Sequence, residues 1–385
     1  VRSYLMHFLA EAESYDEFAE YIESNYLKRV FAETKLTLGK GDAEKCIAML
    51  GASDYKALLE RVDIDFAWTN KETFGPEEAV TLDLHIKNVK TLIVKVYEIN
   101  ARNFYQTYGR EVGTDINLDG LVANEEKVET YTEAPVLRVK RSFSFDKLKP
   151  RGVYVVEFIG NGKSSRALIR KGQLNYTVRT GVAGQVFTVY DESNRQVKDA
   201  TLWLDGHLYT ADEDGTICVP FSTNPGERKA ILGRGEFASL VTFSHQGESY
   251  SLTSGIHVDR EALLARQKAT VLVRPALYLN QTPVTLKALE DVSLAITSTD
   301  LEGVNSTKVV HDFKIFEDRE SLYEFRVPER VRTLRFELRA KVKLATTSQK
   351  IDLASGDSFD LNGIDSQDSV EIGRASCRER VFRVV

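Results

Sequence analysis

Cysteine, histidine and long apolar runs are scarce in this chain. Its 385 residues include 3 Cys and 6 His. Cys46 and Cys218 lie far apart in the sequence, and neither has the neighbouring His and base of a catalytic thiol, so we expect no disulfide framework and no cysteine nucleophile. Both are expected to be small buried side chains. No apolar run reaches the roughly 18 residues of a membrane span.

Motifs of catalysis are also lacking. No His pair has the HExxH spacing of a zinc enzyme, and no G-x-S-x-G marks a serine nucleophile. Gly162-Lys163-Ser164 ends like a phosphate-binding loop, but Glu157 stands where that motif requires Gly. Acids around one His are read as surface turns rather than a catalytic or metal site: Asp205, His207, Asp212, Glu213 and Asp214. We therefore predict a chain that is not an enzyme.

An excess of positive charge is absent as well. The formal net charge is -6, which argues against a nucleic-acid partner. One basic run does cross two predicted strands: Arg326, Arg330, Arg332, Arg335, Arg339, Lys341 and Lys343. It is interpreted either as a groove for a polyanion or as the solvated face of an edge strand. The lack of aromatic residues at these positions favours the second interpretation.

The first 62 residues have a helical pattern. Apolar residues recur every four positions from Phe18 to Val30, which predicts a helix. Asp42 and Ser53 stand where N-caps would begin two shorter helices. Around Ile64 the period changes to that of strands.

From there to about residue 370 the strand signal continues. Residues 334–344 alternate between apolar and charged, and Gly160-Asn161-Gly162 marks a hairpin turn. Short strands with turns every eight to twelve residues predict antiparallel sandwiches of roughly 100 residues each. A brief helical segment opening at Asp259 is expected to join two of them. The predicted fold class is mainly β: tandem antiparallel, Ig-like β-sandwich domains preceded by a small α-helical segment.

The expected organisation has five parts. They are a helical segment at 1–62, sandwiches at 63–172, 173–270 and 271–370, and a tail at 371–385. The tail begins with EIGRASCRERV, which reads like a translated short-read sequencing adapter, so it is left out of the fold. Because the chain begins at Val1 in a helical pattern, we expect it to be a fragment of a larger protein.

One stretch fits a calcium-binding loop. Its residues match D-x-[DN]-x-[DN]-G-x5-E: Asp115, Asn117, Asp119, Gly120 and Glu126. Side-chain oxygens at loop positions 1, 3, 5 and 12 and the Leu121 carbonyl would converge on Ca²⁺. The alternative is a structural turn, because Asp, Asn and Gly satisfy turn backbones locally, and a strand pattern follows where an EF-hand needs a helix.

Three segments resemble macroglobulin (MG) domains of bacterial alpha-2-macroglobulin-like proteins. TNKETFGPEEAVTLDLHIKNVKTLIVKVYEIN resembles the opening of such a domain and LKPRGVYVVEFIGNG its closing Gly-x-Tyr strand. GQVFTVYDESNRQVKDATLWLDGHLYTADEDGTICVPF resembles the next domain. Gly75-Pro76-Glu77 departs from the family's Pro-Gly-Glu turn, and the first 62 residues match nothing in it. No Cys precedes Gly-Glu-Gln, so the resemblance implies scaffold domains without the thioester reaction.

The resulting hypothesis is a non-enzymatic binding or scaffold region with protein partners, similar to the MG domains of protease-trapping proteins. The resemblance also implies an extracytoplasmic or cell-surface location. The alternative is a calcium-stabilised adhesion module, in which Asp115 to Glu126 rigidifies the first sandwich. A catalytic domain outside the fragment stays open as a third hypothesis.

Overall fold

The computed structural model describes residues 2–361, and within them more residues lie in β-strands than in helices, with the strands paired almost throughout in antiparallel sheets. Four helices precede the first strand. The predicted class, mainly β after a small helical segment, is therefore confirmed. The predicted adapter tail at 371–385 lies outside the described residues.

The helices of the described chain are α1 (Arg2–Leu9), α2 (Ser24–Leu38), α3 (Ala43–Leu50), α4 (Ala52–Glu60) and α5 (Ala101–Tyr108). Asp42 is the N-cap of α3, as predicted, and accepts hydrogen bonds from the amides of Glu44 and Lys45. Ser53 is not a cap, because α4 starts one residue earlier, after Gly51. The long helix predicted from Phe18 starts only at Ser24, where the Glu23 carboxylate caps α2.

The chain divides into two compact units. The first contains residues up to 177, 188–217 and 229–242, and the second contains 178–187, 218–228 and the residues from 243 on. The division passes through the region predicted as the second sandwich. The predicted domain boundaries stay predictions.

Eight strands of the first unit form two sheets over one core. They are β1 (Asp63–Phe66), β2 (Thr73–Phe74), β3 (Thr81–Lys87), β4 (Thr91–Ile99), β5 (Glu125–Thr130), β6 (Arg138–Ser144), β7 (Gly152–Gly160) and β8 (Lys163–Lys171). One sheet has the order β1-β3-β6 and the other β2-β8-β7-β4-β5. All these pairs are antiparallel except β2 with β8.

The core of this sandwich is centred on Phe158 of β7. Its side chain is fully buried. The rings of Phe143, Phe66 and Phe145 lie 5.1, 5.6 and 6.5 Å from it, all edge-on. Edge-to-face aromatic pairs stabilise a core beyond the burial of their surface. The two sheets therefore meet through an aromatic cluster.

The β7–β8 hairpin confirms the predicted turn. Asn161 and Gly162 connect the strands with φ of 47° and 78°. Two successive residues with positive φ form the type I′ turn, whose twist suits a two-residue hairpin, and Asn-Gly is its preferred sequence. Gly162-Lys163-Ser164 is thus part of a hairpin and not of a phosphate-binding loop.

The following strands are β9 (Asn175–Thr180), β10 (Gln185–Tyr190), β11 (Thr201–Leu204), β12 (His207–Thr210), β13 (Thr216–Val219), β14 (Gly226–Arg234) and β15 (Phe237–His245). The four short strands predicted between Gln185 and Val219 are β10 to β13. β11 pairs antiparallel with both β12 and β14.

The remaining strands belong to the second unit. They are β16 (Tyr250–Val258), β17 (Lys268–Leu279), β18 (Thr282–Val284), β19 (Leu289–Asp300), β20 (Asn305–Val310), β21 (Ser321–Arg326), β22 (Val331–Lys343) and β23 (Lys350–Asp360). One sheet has the order β16-β17-β18 with β21 also on β17, and the other β20-β19-β22-β23. The helical segment predicted after Asp259 is a single 3₁₀ turn, Arg260–Ala262.

Tyr154 in the first sandwich predicts a loss of stability at alkaline pH. It is buried, and its hydroxyl donates to the carbonyl oxygen of Pro150 at 3.0 Å. Burial, and then the charge of Glu98, raises the pKa of Tyr154 to about 12. An unfolded Tyr loses its proton near pH 10, so folding keeps a proton that the unfolded chain has already released, and stability falls as pH rises from about 10 to 12.

We expect this tyrosine to contribute a loss on the order of 2 kcal/mol over that interval. The measurement is urea unfolding of the wild type and of Tyr154→Phe at increasing pH. The stability advantage of the wild type should shrink as pH rises. A constant difference between the two proteins would contradict the assignment.

Candidate binding surfaces

The predicted calcium stretch lies between α5 and β5, and its carboxylates face cations of the protein itself. Asp115 forms an ion pair with Arg110 at 3.2 Å. Glu126 belongs to strand β5 and lies 3.6 Å from Lys95 of β4. Since β5 already begins at Glu125, the backbone is extended where a closing calcium ligand would need a helix.

The other predicted ligands serve local turns. Asn117 accepts a hydrogen bond from the amide of Asp119 at 2.9 Å, and Gly120 has φ of 82°. The amide of Leu121 donates to the carbonyl of Leu118. The structure places the five predicted ligands in these separate roles: Asp115, Asn117, Asp119, Leu121 and Glu126. Across residues 2–361 no group of three or more His, Cys, Asp or Glu side chains is arranged to hold a metal. The geometry therefore gives calcium binding no support.

The segment between α5 and β5 covers the sheet that contains β4, β7 and β8. Together with α5, it packs buried side chains onto the outer face of β4, β7 and β8; these side chains are Tyr105, Val112 and Leu118. Asn124 closes the segment, since its amide donates to the carbonyl of Val96 and its side-chain oxygen accepts from the amide of Glu98. The insertion is thus part of the core.

Two arginines of β8 hold the insertion in place. Arg166 donates to the carbonyl of Ile116 at 2.9 Å and to the Glu157 carboxylate, also at 2.9 Å. Glu157 is only 8% exposed. A buried carboxylate is tolerated only when it is paired and hydrogen-bonded. Arg166 therefore has two roles: it neutralises the charge of Glu157 on the neighbouring strand β7, and it holds the loop through the Ile116 carbonyl.

Arg170 makes the second attachment. It donates to the carbonyl of Val112 at 2.8 Å and lies 3.5 Å from Glu111. The Tyr105 hydroxyl donates to the same carboxylate at 3.0 Å. Burial, followed by the charge of Glu111, raises the pKa of Tyr105 strongly. Tyr105 therefore acts as a hydrogen-bond donor near neutral pH and not as a base.

A cleft of about 440 Å³ opens beside this network in the first unit. It is lined by Arg170, Glu111, residues 172–176 and residues 237–242. Its charged side chains contact one another, and the arrangement of Arg170 with Glu111 and the Tyr105 hydroxyl is that of a structural network. The cleft has no nucleophile and base in hydrogen-bond contact among its described lining residues.

The acids around His207 form turns, as predicted. Asp212 accepts hydrogen bonds from the amide and the hydroxyl of Thr216 at 2.7 and 2.8 Å. Cys46 is buried as predicted, and burial is the main cause that raises the pKa of its thiol. Cys218 is exposed, so its predicted burial is wrong. Strand alternation explains the difference, since its neighbours in β13 face the core.

The basic run lies mainly on β22, which is not an edge strand. β22 pairs with β19 on one side and β23 on the other, so the edge-strand interpretation is wrong. Arg335 and Arg339 point outward and flank Glu337, with N···O distances of 3.0 and 2.7 Å. Their side chains remain 60% and 52% exposed. The outer face of β22 therefore carries two accessible guanidinium groups on a strand that is paired on both sides.

A buried lysine that the sequence did not reveal joins the helical segment to the first sandwich. Lys87 of β3 is 1% exposed and donates to the carbonyls of Leu58 and Arg61. Arg61 in turn contacts Glu33 of α2 and Asp63 of β1. The only sequence signal was a lysine directly after the alternating residues of β3. Its partners come from a helix end about thirty residues earlier.

Family models match three parts of the chain. Residues 1–62 match the Actin-binding protein F N-terminal domain, residues 92–172 its first immunoglobulin-like domain and residues 259–367 its third immunoglobulin-like domain. A curated relative, Actin-binding protein F of Dictyostelium discoideum, is 38% identical over 368 residues. The match covers 93% of this chain and 16% of the relative, so the chain spans less than a fifth of that protein's length.

Two solved structures have a weak likeness to this chain. An Escherichia coli alpha-2-macroglobulin fragment spanning domains NIE-MG1 has a TM-score of 0.31 and 13% identity, covering 47% of this chain and 96% of its own. A chimeric titin Z1Z2 tandem has a TM-score of 0.26 and 13% identity, covering 49% and 100%. These scores carry no argument about the relationship.

The sequence matches correct the family interpretation. The sandwiches are immunoglobulin-like, as the fold class anticipated. The resemblance to bacterial alpha-2-macroglobulin-like proteins is wrong, because the sequence likeness is to an actin-binding protein of Dictyostelium. The extracytoplasmic or cell-surface location came from that resemblance and is wrong with it. The classification of the chain as bacterial and calcium-binding is also wrong.

None of the helices within residues 2–361 has the length and apolar character needed to cross a bilayer.

Proposed function

We propose that this chain is a non-enzymatic, protein-binding region of a larger actin-binding protein, and that the region itself contacts filamentous actin. The observation that carries the proposal is the 38% identity over 93% of the chain to a protein named for actin binding. The identity runs through the helical segment and the sandwiches together, so it concerns the whole region and not one common module.

The outer face of β22 is the surface we assign to that contact. Arg335 and Arg339 are exposed there on a strand held by neighbours on both sides. Arginine is enriched in protein interfaces because its planar guanidinium forms several directed hydrogen bonds while its stem covers apolar surface. A strand in the middle of a sheet presents such groups with little loss of conformational freedom on binding.

Co-sedimentation with filamentous actin tests both parts of this proposal. The wild-type chain should enter the pellet and saturate, and Arg335→Ser with Arg339→Ser should bind about tenfold more weakly, as expected when interface arginines are lost. The matched control is Arg266→Ser with Arg274→Ser, because these two are also exposed arginines of the second unit paired with glutamates. The control should bind like the wild type.

The two failures are distinguishable. A wild-type chain that stays in the supernatant at every actin concentration overturns actin binding by this region. A wild type that binds, with the β22 variant and the control equal to it, overturns only the assignment of the surface. Unchanged melting curves of both variants would show that any difference arises at the contact.

A further inference from the structure

The first helix buries one side and exposes aromatic rings on the other. Leu5 and Leu9 of α1 are buried, and they pack in one cluster with Leu27 of α2. Tyr4 is 73% exposed and Phe8 57% exposed. Residues four apart are neighbours on a helix surface, so these two rings form one exposed patch.

The patch continues into the segment that follows α1. The ring of Phe18 lies 6.5 Å from that of Phe8. Tyr21 is 79% exposed, and its amide donates to the carbonyl of Phe18, which places it in the same turn. We call Tyr4, Phe8, Phe18 and Tyr21 the aromatic face. Exposed aromatic residues gathered in one patch are typical of protein contact sites, whereas isolated ones are ordinary.

Acidic residues are frequent in the segment that carries Phe18 and Tyr21. From residue 11 to residue 23 the chain has six acids and neither Lys nor Arg. Glu11 pairs with Lys40, and Glu23 caps α2. Four exposed carboxylates form no ion pair with any residue between 2 and 361, and we call them the acidic rim: Glu13, Asp16, Glu17 and Glu20.

We propose that the aromatic face and the acidic rim bind a basic amphipathic helix of a partner protein, at a site separate from the actin contact. The apolar side of such a helix packs on the aromatic rings, and its Lys and Arg side chains meet the carboxylates, which have no other partner in the described chain. Charge complementarity of this kind raises the association rate and selects the partner.

Charge also argues against other occupants. A symmetric contact with a second copy of this chain would place one acidic rim against another, which is repulsive. Anionic lipid surfaces and nucleic acids are repelled for the same reason. A neutral apolar helix would leave the rim unused. The occupant that satisfies both features is therefore a basic and amphipathic polypeptide.

The test is fluorescence anisotropy with the full chain and a labelled helical peptide of about 18 residues composed of Leu and Lys. We expect binding that weakens as salt is raised from about 50 to 150 mM. A peptide with Glu in place of Lys should not bind. Replacing Tyr4→Ser and Tyr21→Ser should weaken binding about tenfold, because these side chains are expected to be the aromatic anchors.

A second variant tests whether binding depends on the acidic rim itself or only on the net negative charge of the chain. Glu13→Gln, Asp16→Asn, Glu17→Gln and Glu20→Gln together should weaken binding about tenfold and remove most of its salt dependence. The matched control carries the same four charge changes elsewhere, at exposed residues: Glu213→Gln, Asp214→Asn, Glu236→Gln and Asp318→Asn. The control should bind within about twofold of the wild type.

Three results would overturn the proposal. They are no binding of the Lys peptide, equal weakening by the rim variant and its control, and unchanged binding by the tyrosine variant. The tyrosines and rim residues are exposed, so melting midpoints close to that of the wild type are expected and will confirm that each variant is folded. If a variant melts early, the peptide is titrated below that variant's transition and the same comparison applies.

Discussion

Arg166→Leu is expected to destabilise the first unit by up to about 3–5 kcal/mol, the range for leaving a buried charge without its partner. The substitution leaves the Glu157 carboxylate, 8% exposed, without its partner. It also removes the donor to the carbonyl of Ile116. The insertion between α5 and β5 should loosen at the same time, which amide hydrogen exchange of residues 109–124 will report.

Tryptophan fluorescence during urea unfolding measures the stability change, because both Trp residues of the chain, Trp68 and Trp203, lie in the first unit. Replacing both partners, Glu157→Leu with Arg166→Leu, should cost less than the single change, because no charge is then left buried. Arg29→Leu is the control, since its pair with Asp54 is exposed and worth at most about 1 kcal/mol. Equal losses in the free energy of unfolding for Arg166→Leu and Arg29→Leu would show that the pair of Arg166 with Glu157 stabilises the fold no more than an exposed pair does.

Phe158→Ala should cost the first unit about 3–5 kcal/mol, the range for removing a buried phenylalanine. The ring is fully buried and is contacted edge-on by the rings of Phe66, Phe143 and Phe145. The cavity left behind is bounded by both sheets, which limits how far the site can collapse. The free energy of unfolding of a domain is only about 5–15 kcal/mol, so the midpoint of unfolding of this variant should lie at a far lower urea concentration than that of the wild type.

The same fluorescence measurement applies, with Val122→Ala as the control. Val122 is 89% exposed, so its truncation should change stability by no more than about 0.5 kcal/mol. A loss below about 1 kcal/mol for Phe158→Ala would contradict a core built around this ring.

Strand patterning could be predicted from the sequence because it is a local property. In β22 the residues Leu334, Phe336 and Leu338 are buried, while Arg335 and Arg339 face outward, as the alternation indicates. The Asn161-Gly162 hairpin and the Asp42 cap were equally predictable, since a few neighbouring residues determine each. These signals establish a β-sandwich fold but not its family, because many sandwich families use the same turns and strands. The MG resemblance was drawn from such shared patterns and was wrong for that reason.

The calcium pattern could not be interpreted correctly from the sequence alone. Asp115 to Glu126 has the spacing of a ligand loop, but Glu126 enters strand β5 and meets Lys95 across the sheet. Arg166, which holds the middle of the stretch, lies about fifty residues further along the chain. A local motif says which oxygens are present, whereas the distant strands that contact it decide where those oxygens point.

Sequence patterns alone were enough to predict β-sandwiches behind a helical segment, and to show that six acids between residues 11 and 23 have no Lys or Arg among them. Folding in three dimensions was needed to reveal that β22 is internal to its sheet and that Glu157 and Lys87 are buried and hydrogen-bonded. The exposure of Tyr4 and Tyr21 and the contact of Phe8 with Phe18 likewise became visible only in the folded chain. The physical reason is that periodicity and local charge depend on near neighbours, while burial, pairing and exposure depend on residues brought together from far along the chain.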